Sequence, residues 1–158
     1  MIGVDTNVLA RLFLDDDARQ SALAKRFFDA RTTDDPAFLS AIVMAEFVWL
    51  LASRYRYPVD TIHAALSVIF GSGNVVVERE EQLKEAVSSA RHTGGDISDA
   101  IIAAVAVHAG CSSVVTFDKD AARLVPNIKD IMETIEKIGV PLVVEAKAGK
   151  NWEEMRPV

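Results

Sequence analysis

The sequence predicts an α/β fold, a mainly parallel sheet of about five strands sandwiched by helices. Three observations carry this. Short apolar runs with little alternation recur along the chain, as expected of strands buried on both faces. Between them lie longer stretches with apolar residues at helical spacing. Glycine-rich segments punctuate the two. Strand–helix alternation of this kind is the pattern of a parallel sheet.

Ile2 to Val4 is the first strand, ending in Asp5. Ala37 to Leu39 is the second, and it leads into the helical pattern SAIVMAEFVWLLASRY, with Ser40 at the N-cap position. Ile62, Leu66, Ile69 and Phe70 keep helical spacing; Gly71-Ser72-Gly73-Asn74 then reads as a loop before a third strand, Val75 to Val77. Gly94-Gly95 precedes a helix marked by Ile97, Ile101, Val105 and Ala109, and Gly110 closes it. Val114 to Phe117 is the fourth strand, and Pro126 stops the short helix after Asp118. From about Asn127 the pattern gives a helix (Ile128 to Ile138), a fifth strand (Leu142 to Val144) and a polar tail, Lys147 to Val158, containing Trp152.

The 158 residues fit one domain, 1–158, with a motif-bearing core of about 1–126 and a C-terminal helix, strand and tail over about 127–158. Half the residues are hydrophobic, enough for a core. No apolar run reaches the ~18 residues of a membrane span, so no membrane partner is expected. No signal peptide is visible, and the single cysteine, Cys111, excludes an internal disulfide framework. These features predict a cytoplasmic protein. Cys111, beside Gly110 and an apolar run, reads as a small core residue.

In a parallel α/β sheet, ligands bind beyond the carboxyl ends of the strands. Asp5 ends the first strand and Asp118 the fourth, in VVTFDKD. Asp96 and Asp99 open the helix leading into that fourth strand, which predicts the same edge for them. Glu46 stands in a helix with Ile42, Val43, Trp49 and Leu50 three and four positions away. A glutamate on such an apolar stripe is expected to be paired or metal-bound.

Each acid has a plainer reading. Asp5 caps a helix from Thr6 to Leu14, Asp96 and Asp99 form a capping-box variant, Asp118 caps the next helix, and Glu46 pairs with a buried arginine. Together they read differently, because converging carboxylates repel one another and a hard divalent cation, Mg²⁺ or Mn²⁺, keeps them charged. Other chemistries have less support. His63, His92 and His108 lack metal-ligand spacing. There is no Gly-x-Gly-x-x-Gly or P-loop run and no serine in a nucleophile elbow.

VDTNVL, the helix bearing Glu46, SDAIIAAVAVHAGC and VVTFDKD, in that order, resemble the PIN-domain nucleases, and within them the VapC-type toxins of prokaryotic toxin–antitoxin pairs. The resemblance runs from residue 1 to about 126. It implies a PIN-like (Rossmann-like) three-layer sandwich and Mg²⁺- or Mn²⁺-dependent endonucleolytic cleavage of RNA. The family acids carry over onto Asp5, Glu46, Asp99 and Asp118 as catalytic metal ligands. Asp96 is an additional acid, and Thr6 and Thr116 match supporting polar positions. A cognate antitoxin and a homodimer are the implied partners, with Phe27 and Phe28 as candidates for a dimer face. The segment from about Asn127 departs from the family's usual short ending.

The net charge of -6 opposes broad nucleic-acid binding. Setting the four site acids aside leaves -2, and a bound Mg²⁺ brings that to about neutral. Arg11 and Lys119 are candidate RNA contacts by proximity, though each also reads as a solvated cation. Two alternatives remain. A haloacid-dehalogenase-like phosphatase would want an aspartate where Asn7 stands. A catalytically silent module of the same fold would not need the full acid set.

Overall fold

A computed structural model describes residues 1–14, 16–116, 121, 147–148 and 156–157. Asp118, Lys119, Pro126, the helix expected over 128–138, the strand expected over 142–144 and Trp152 lie outside the described residues. The chain divides into two compact units, Met1–Glu80 and Glu81–Val158.

The first unit holds a three-stranded parallel sheet in the order β1 (Ile2–Gly3), β2 (Ala37–Leu39), β3 (Val75–Val77). Ile2 pairs with Ala37, and Ala37 with Val75. Helices α1 (Thr6–Ala10) and α2 (Ala18–Asp29) connect β1 to β2. Helix α3 (Ala41–Trp49), a π-helical segment (Leu50–Arg54) and α4 (Val59–Phe70) connect β2 to β3. Parallel pairing needs such crossovers, because a tight turn can only reverse a strand. The core is built from Leu9, Leu39, Met44, Phe47, Leu51 and Leu66, all but excluded from solvent. Phe13 stacks at a tilt on Phe47, with ring centroids 5.2 Å apart.

The central strand β2 fits the expectation of burial on both faces, since Ala37 and Leu39 are buried and Phe38 half-buried. The outer strands differ. Ile2 and Val76 are each 41% exposed, so these strands are not covered on both faces at those positions. The helix expected from Thr6 to Leu14 is regular only to Ala10. Beyond it the N–H groups of Leu12 and Phe13 donate to the carbonyls three residues back, a tighter 3₁₀-type turn.

The second unit holds α5 (Glu80–Thr93) with most of its residues, α6 (Ile97–His108) and a small mixed sheet. In it β4 (Val115–Thr116) runs parallel to β5 (Lys147–Ala148), which runs antiparallel to β6 (Arg156–Pro157). Leu83, Ala86 and Ala90 form the buried stripe of α5, and Ile97, Ala100 and Ile101 that of α6. Helix α6 ends in a Schellman motif. Gly110 is left-handed at φ 84°; its N–H donates to Val107 O and that of Cys111 to Ala106 O. This turn carries the chain off the helix with Cys111 exposed, not in the core as its apolar neighbours suggest.

Candidate functional site

Three strand ends of the first unit open onto one edge. β1 runs through Val4 into Asp5, β2 into Ser40, and β3 into Glu78. All three strands are parallel, so their carboxyl ends share that edge.

Asp5 has an extended backbone (φ -78°, ψ 152°) and is the N-cap of α1, its Oδ1 accepting the N–H of Asn7 at 2.8 Å. The next residue, Thr6, is only 4% exposed. Its hydroxyl donates to Glu46 Oε2 at 2.6 Å, across 40 residues of sequence. One hydrogen bond therefore joins the residue after Asp5 to Glu46. It spans α1 and α3 at the sheet edge and sets the rotamer of the glutamate.

The environment of Glu46 differs from the sequence expectation. Ile42 is 78% exposed and Trp49 56% exposed, and Glu46 is exposed with them. The buried face of α3 is Ala41, Met44, Phe47 and Val48. The apolar neighbours share a helix face with Glu46 but do not enclose it. What engages Glu46 is the threonine hydroxyl.

Ser40 is the N-cap of α3, its Oγ accepting the N–H of Val43 at 3.2 Å. A second acceptor stands at the same helix start. Glu78 Oε2 receives the N–H of Ala41 at 2.9 Å, and the N–H of Glu78 donates to Leu39 O at 2.8 Å. Sequence reasoning passed over Glu78. The signal was present, because the acid follows Val75-Val76-Val77 as Asp5 follows Ile2-Gly3-Val4.

In the second unit Asp96 caps α6, its Oδ1 accepting the N–H groups of Ser98 (2.7 Å) and Asp99 (3.2 Å). Asp99 lies in the first turn of that helix, where the helix dipole favours negative charge. Thr116 is in β4. Among the described residues no group of three or more His, Cys, Asp or Glu is disposed to hold a metal ion. A cavity of about 600 Å³ in the first unit is lined by Leu9, Phe13, Lys25, Phe28, Val68 and Ile69 among others, and by none of the candidate acids.

Of the proposed cations, Arg11 is already engaged. Its guanidinium pairs with Asp16, and its side chain is 21% exposed. The Tyr55 hydroxyl donates to the other oxygen of Asp16 at 2.8 Å. This bond, with the Arg11 charge, holds the Asp16 carboxyl below the usual carboxylate range, and the same contact raises the Tyr55 phenol. Phe28 is a core residue, and Phe27 lies under the Arg31 guanidinium at 4.9 Å from the ring centroid.

Parallel strands that deliver acids and their supporting threonine to one edge define a class of α/β proteins with polar strand-end sites. The family is settled by comparison. The PIN domain model matches residues 2–125, through both compact units, and the chain belongs to the PIN-domain family. A comparison with curated proteins gives no match. Among solved structures, the chain is similar to VapC20 of Mycobacterium tuberculosis, described as a sarcin-ricin loop cleaving toxin. The two are 28% identical over 77% of this chain and 93% of that one, with a TM-score of 0.39.

Proposed function

We propose that this protein is a Mg²⁺- or Mn²⁺-dependent endoribonuclease and the toxin of a toxin–antitoxin pair. The observation that carries the reading is the Thr6–Glu46 hydrogen bond of 2.6 Å, beside Asp5 at the end of β1, in a chain of the PIN-domain family. Asp5, Glu46, Asp99 and Asp118 are the acids assigned to the metal, with Asp96, Thr6 and Thr116 in support. The family match passes through both units over residues 2–125, which supports reading that stretch as parts of one domain; the reading takes residues 126–158 as the remainder of it.

The donor chemistry fits the ion. Carboxylates are hard oxygen ligands, and Mg²⁺ is commonly held by one or two of them plus waters and substrate phosphate. Asp5 and Glu46 supply two in the first unit. When bound, the ion would lower the pKa of a water and neutralise charge on the phosphodiester. The protein's own part is to hold and orient. Thr6 donates to Oε2 of Glu46 and so presents the carboxylate in one rotamer. Asp5 spends Oδ1 on the cap, which fixes the carboxylate at the strand end. No side chain is required as general base, and the products are expected to carry a 5′-phosphate and a 3′-hydroxyl.

RNA contact by Arg11 would require release from Asp16, and Lys119 is the other proposed contact. An antitoxin occupying the acidic edge and a homodimer belong to the same reading. Phe28, buried, does not supply the dimer face.

The test is to sequence RNA 5′ ends after expressing wild type beside Asp5→Asn, and to repeat the cleavage with purified protein, with and without chelator. A hairpin of the sarcin-ricin type is one useful probe among structured RNAs. New 5′-phosphate ends that require Mg²⁺ or Mn²⁺ and vanish in Asp5→Asn are expected. Cleavage that survives both chelation and Asp5→Asn would remove the reading. Asn7 stands where the phosphatase alternative wants its second aspartate, so no phosphoryl label is expected on Asp5.

A further inference from the structure

Glu78 ends β3 as Asp5 ends β1, the second acid at the strand ends of the first unit, and its carboxylate accepts a backbone donor. Helices leave their first N–H groups without intrahelical partners. In α3 two of these are taken by side chains, Val43 N–H by Ser40 and Ala41 N–H by Glu78. The Ser40 cap is local. The Glu78 cap arrives from another strand, 37 residues away. It ties the start of α3 to the end of β3, while the Glu78 N–H bonded to Leu39 O ties the same residue to the end of β2. The chain turns sharply straight after it, at Arg79, a non-glycine residue in the left-handed region at φ 54°. Glu46 lies five residues beyond Ala41 on the same rigid helix. A shift or fraying at the helix start therefore reaches Glu46 and its bond with Thr6.

We infer that Glu78 is a positioning residue: by capping Ala41 it fixes α3 against the sheet edge and thereby holds Glu46 in place for the metal. The inference rests on the ribonuclease reading for its last step, and on geometry alone for the cap. What the cap needs is an acceptor oxygen, not a charge.

That distinction sets the experiment. Glu78→Gln keeps an acceptor of the same length, and Glu78→Ala removes it. Ala41→Pro removes the donor instead. Proline suits the first helical position, and Ser40 before it is already extended at ψ 159°. Two quantities are read in each variant: amide exchange in the first turn of α3, and the Mn²⁺ concentration giving half-maximal RNA cleavage. Glu78→Ala should speed first-turn exchange about five-fold, a typical effect of losing a cap. It should raise the half-maximal Mn²⁺ about ten-fold, as loss of an orienting partner does. Glu78→Gln should restore both to near wild type. Ala41→Pro should reproduce the Mn²⁺ shift, and the double variant Ala41→Pro/Glu78→Ala should be no worse than either, because both delete one bond. The proline variant also keeps the question open to measurement where Glu78→Ala does not fold.

Glu78→Gln as impaired as Glu78→Ala would overturn the inference in favour of a charge-dependent role. So would an unchanged Mn²⁺ requirement in Glu78→Ala, or additive effects in the double variant. In each of these the wild type still cleaves with metal, and the ribonuclease reading stands. A wild type without metal-dependent cleavage overturns the reading and the positioning role together, whatever exchange shows of the cap.

Discussion

Thr6 shows how much one buried hydroxyl can decide. Its single donor is spent on Glu46, and a valine of nearly the same shape would leave the carboxylate without that bond. Thr6→Val is expected to lower metal-dependent cleavage by about ten- to a hundred-fold with the fold intact, measured as cleavage rate beside a circular dichroism spectrum. Asp16 offers a pH test away from the acids. With its folded pKa lowered, the Asp16 contribution is present above the ordinary carboxylate range and lost as pH falls through the folded value. The raised Tyr55 phenol works in the opposite sense, its contribution being lost as pH rises through its folded value. Carboxyl NMR titration of Asp16 should therefore give a midpoint below the usual range, and Tyr55→Phe should move it upward. At this scale the sequence was informative about Asp5, Asp96 and Ser40, whose caps depend on neighbours two or three residues away. The apolar spacing around Glu46 showed which residues share its face but not that this face is open to solvent. Sequence reasoning passed over Glu78 because its donor is 37 residues distant.

Elements were legible where their punctuation is local. β2 and β3 fall on the runs read from the sequence, and the helix marked by Ile97 and Ile101 begins and ends between Asp96 and Gly110. Helix α5 closes in the same way: Gly94 is left-handed at φ 71° and the Gly95 N–H reaches Ala90 O. An added Cβ at Gly94 or Gly110 would meet no atom of the described residues within 4 Å, so among them the cost of alanine is conformational. Gly94→Ala and Gly110→Ala should each lower stability by about 1 kcal/mol, read from the denaturant midpoint at constant slope. What was not legible was the early tightening of α1 after Ala10. Residues 11–14 remain apolar enough to continue a helix, and only the hydrogen-bond pattern in three-dimensional context shows that they turn more tightly.

For the whole molecule, a parallel sheet follows from strand–helix alternation, and the family match through residues 2–125 agrees with it. The described strands form two three-stranded groups, one wholly parallel and one mixed. In the mixed group β4 falls within the run Val114 to Phe117, but β5 and β6 could not be read in advance, because Lys147–Ala148 and Arg156–Pro157 lie in a polar stretch with no apolar run. No helix among the described residues is long and apolar enough to cross a membrane. If the acids hold a divalent ion, metal binds the folded chain alone and must stabilise it. Mn²⁺ at about a hundred times its dissociation constant is worth about 2.7 kcal/mol. Thermal unfolding of the wild type should therefore move upward with Mn²⁺, and that of Asp5→Asn should not.

The π-helical segment after α3 adds a question of phase. Its wide turn, closed by the Tyr55 N–H on Leu50 O, accommodates one residue more than an α-helix would between Trp49 and Tyr55. The width of that turn absorbs the extra residue. Deleting a single residue from Leu50–Arg54 would let the stretch wind as an ordinary α-helix and leave the downstream chain in nearly its present phase. Tyr55 would still reach Asp16, and Glu46, upstream of the wide turn, would keep its bearing.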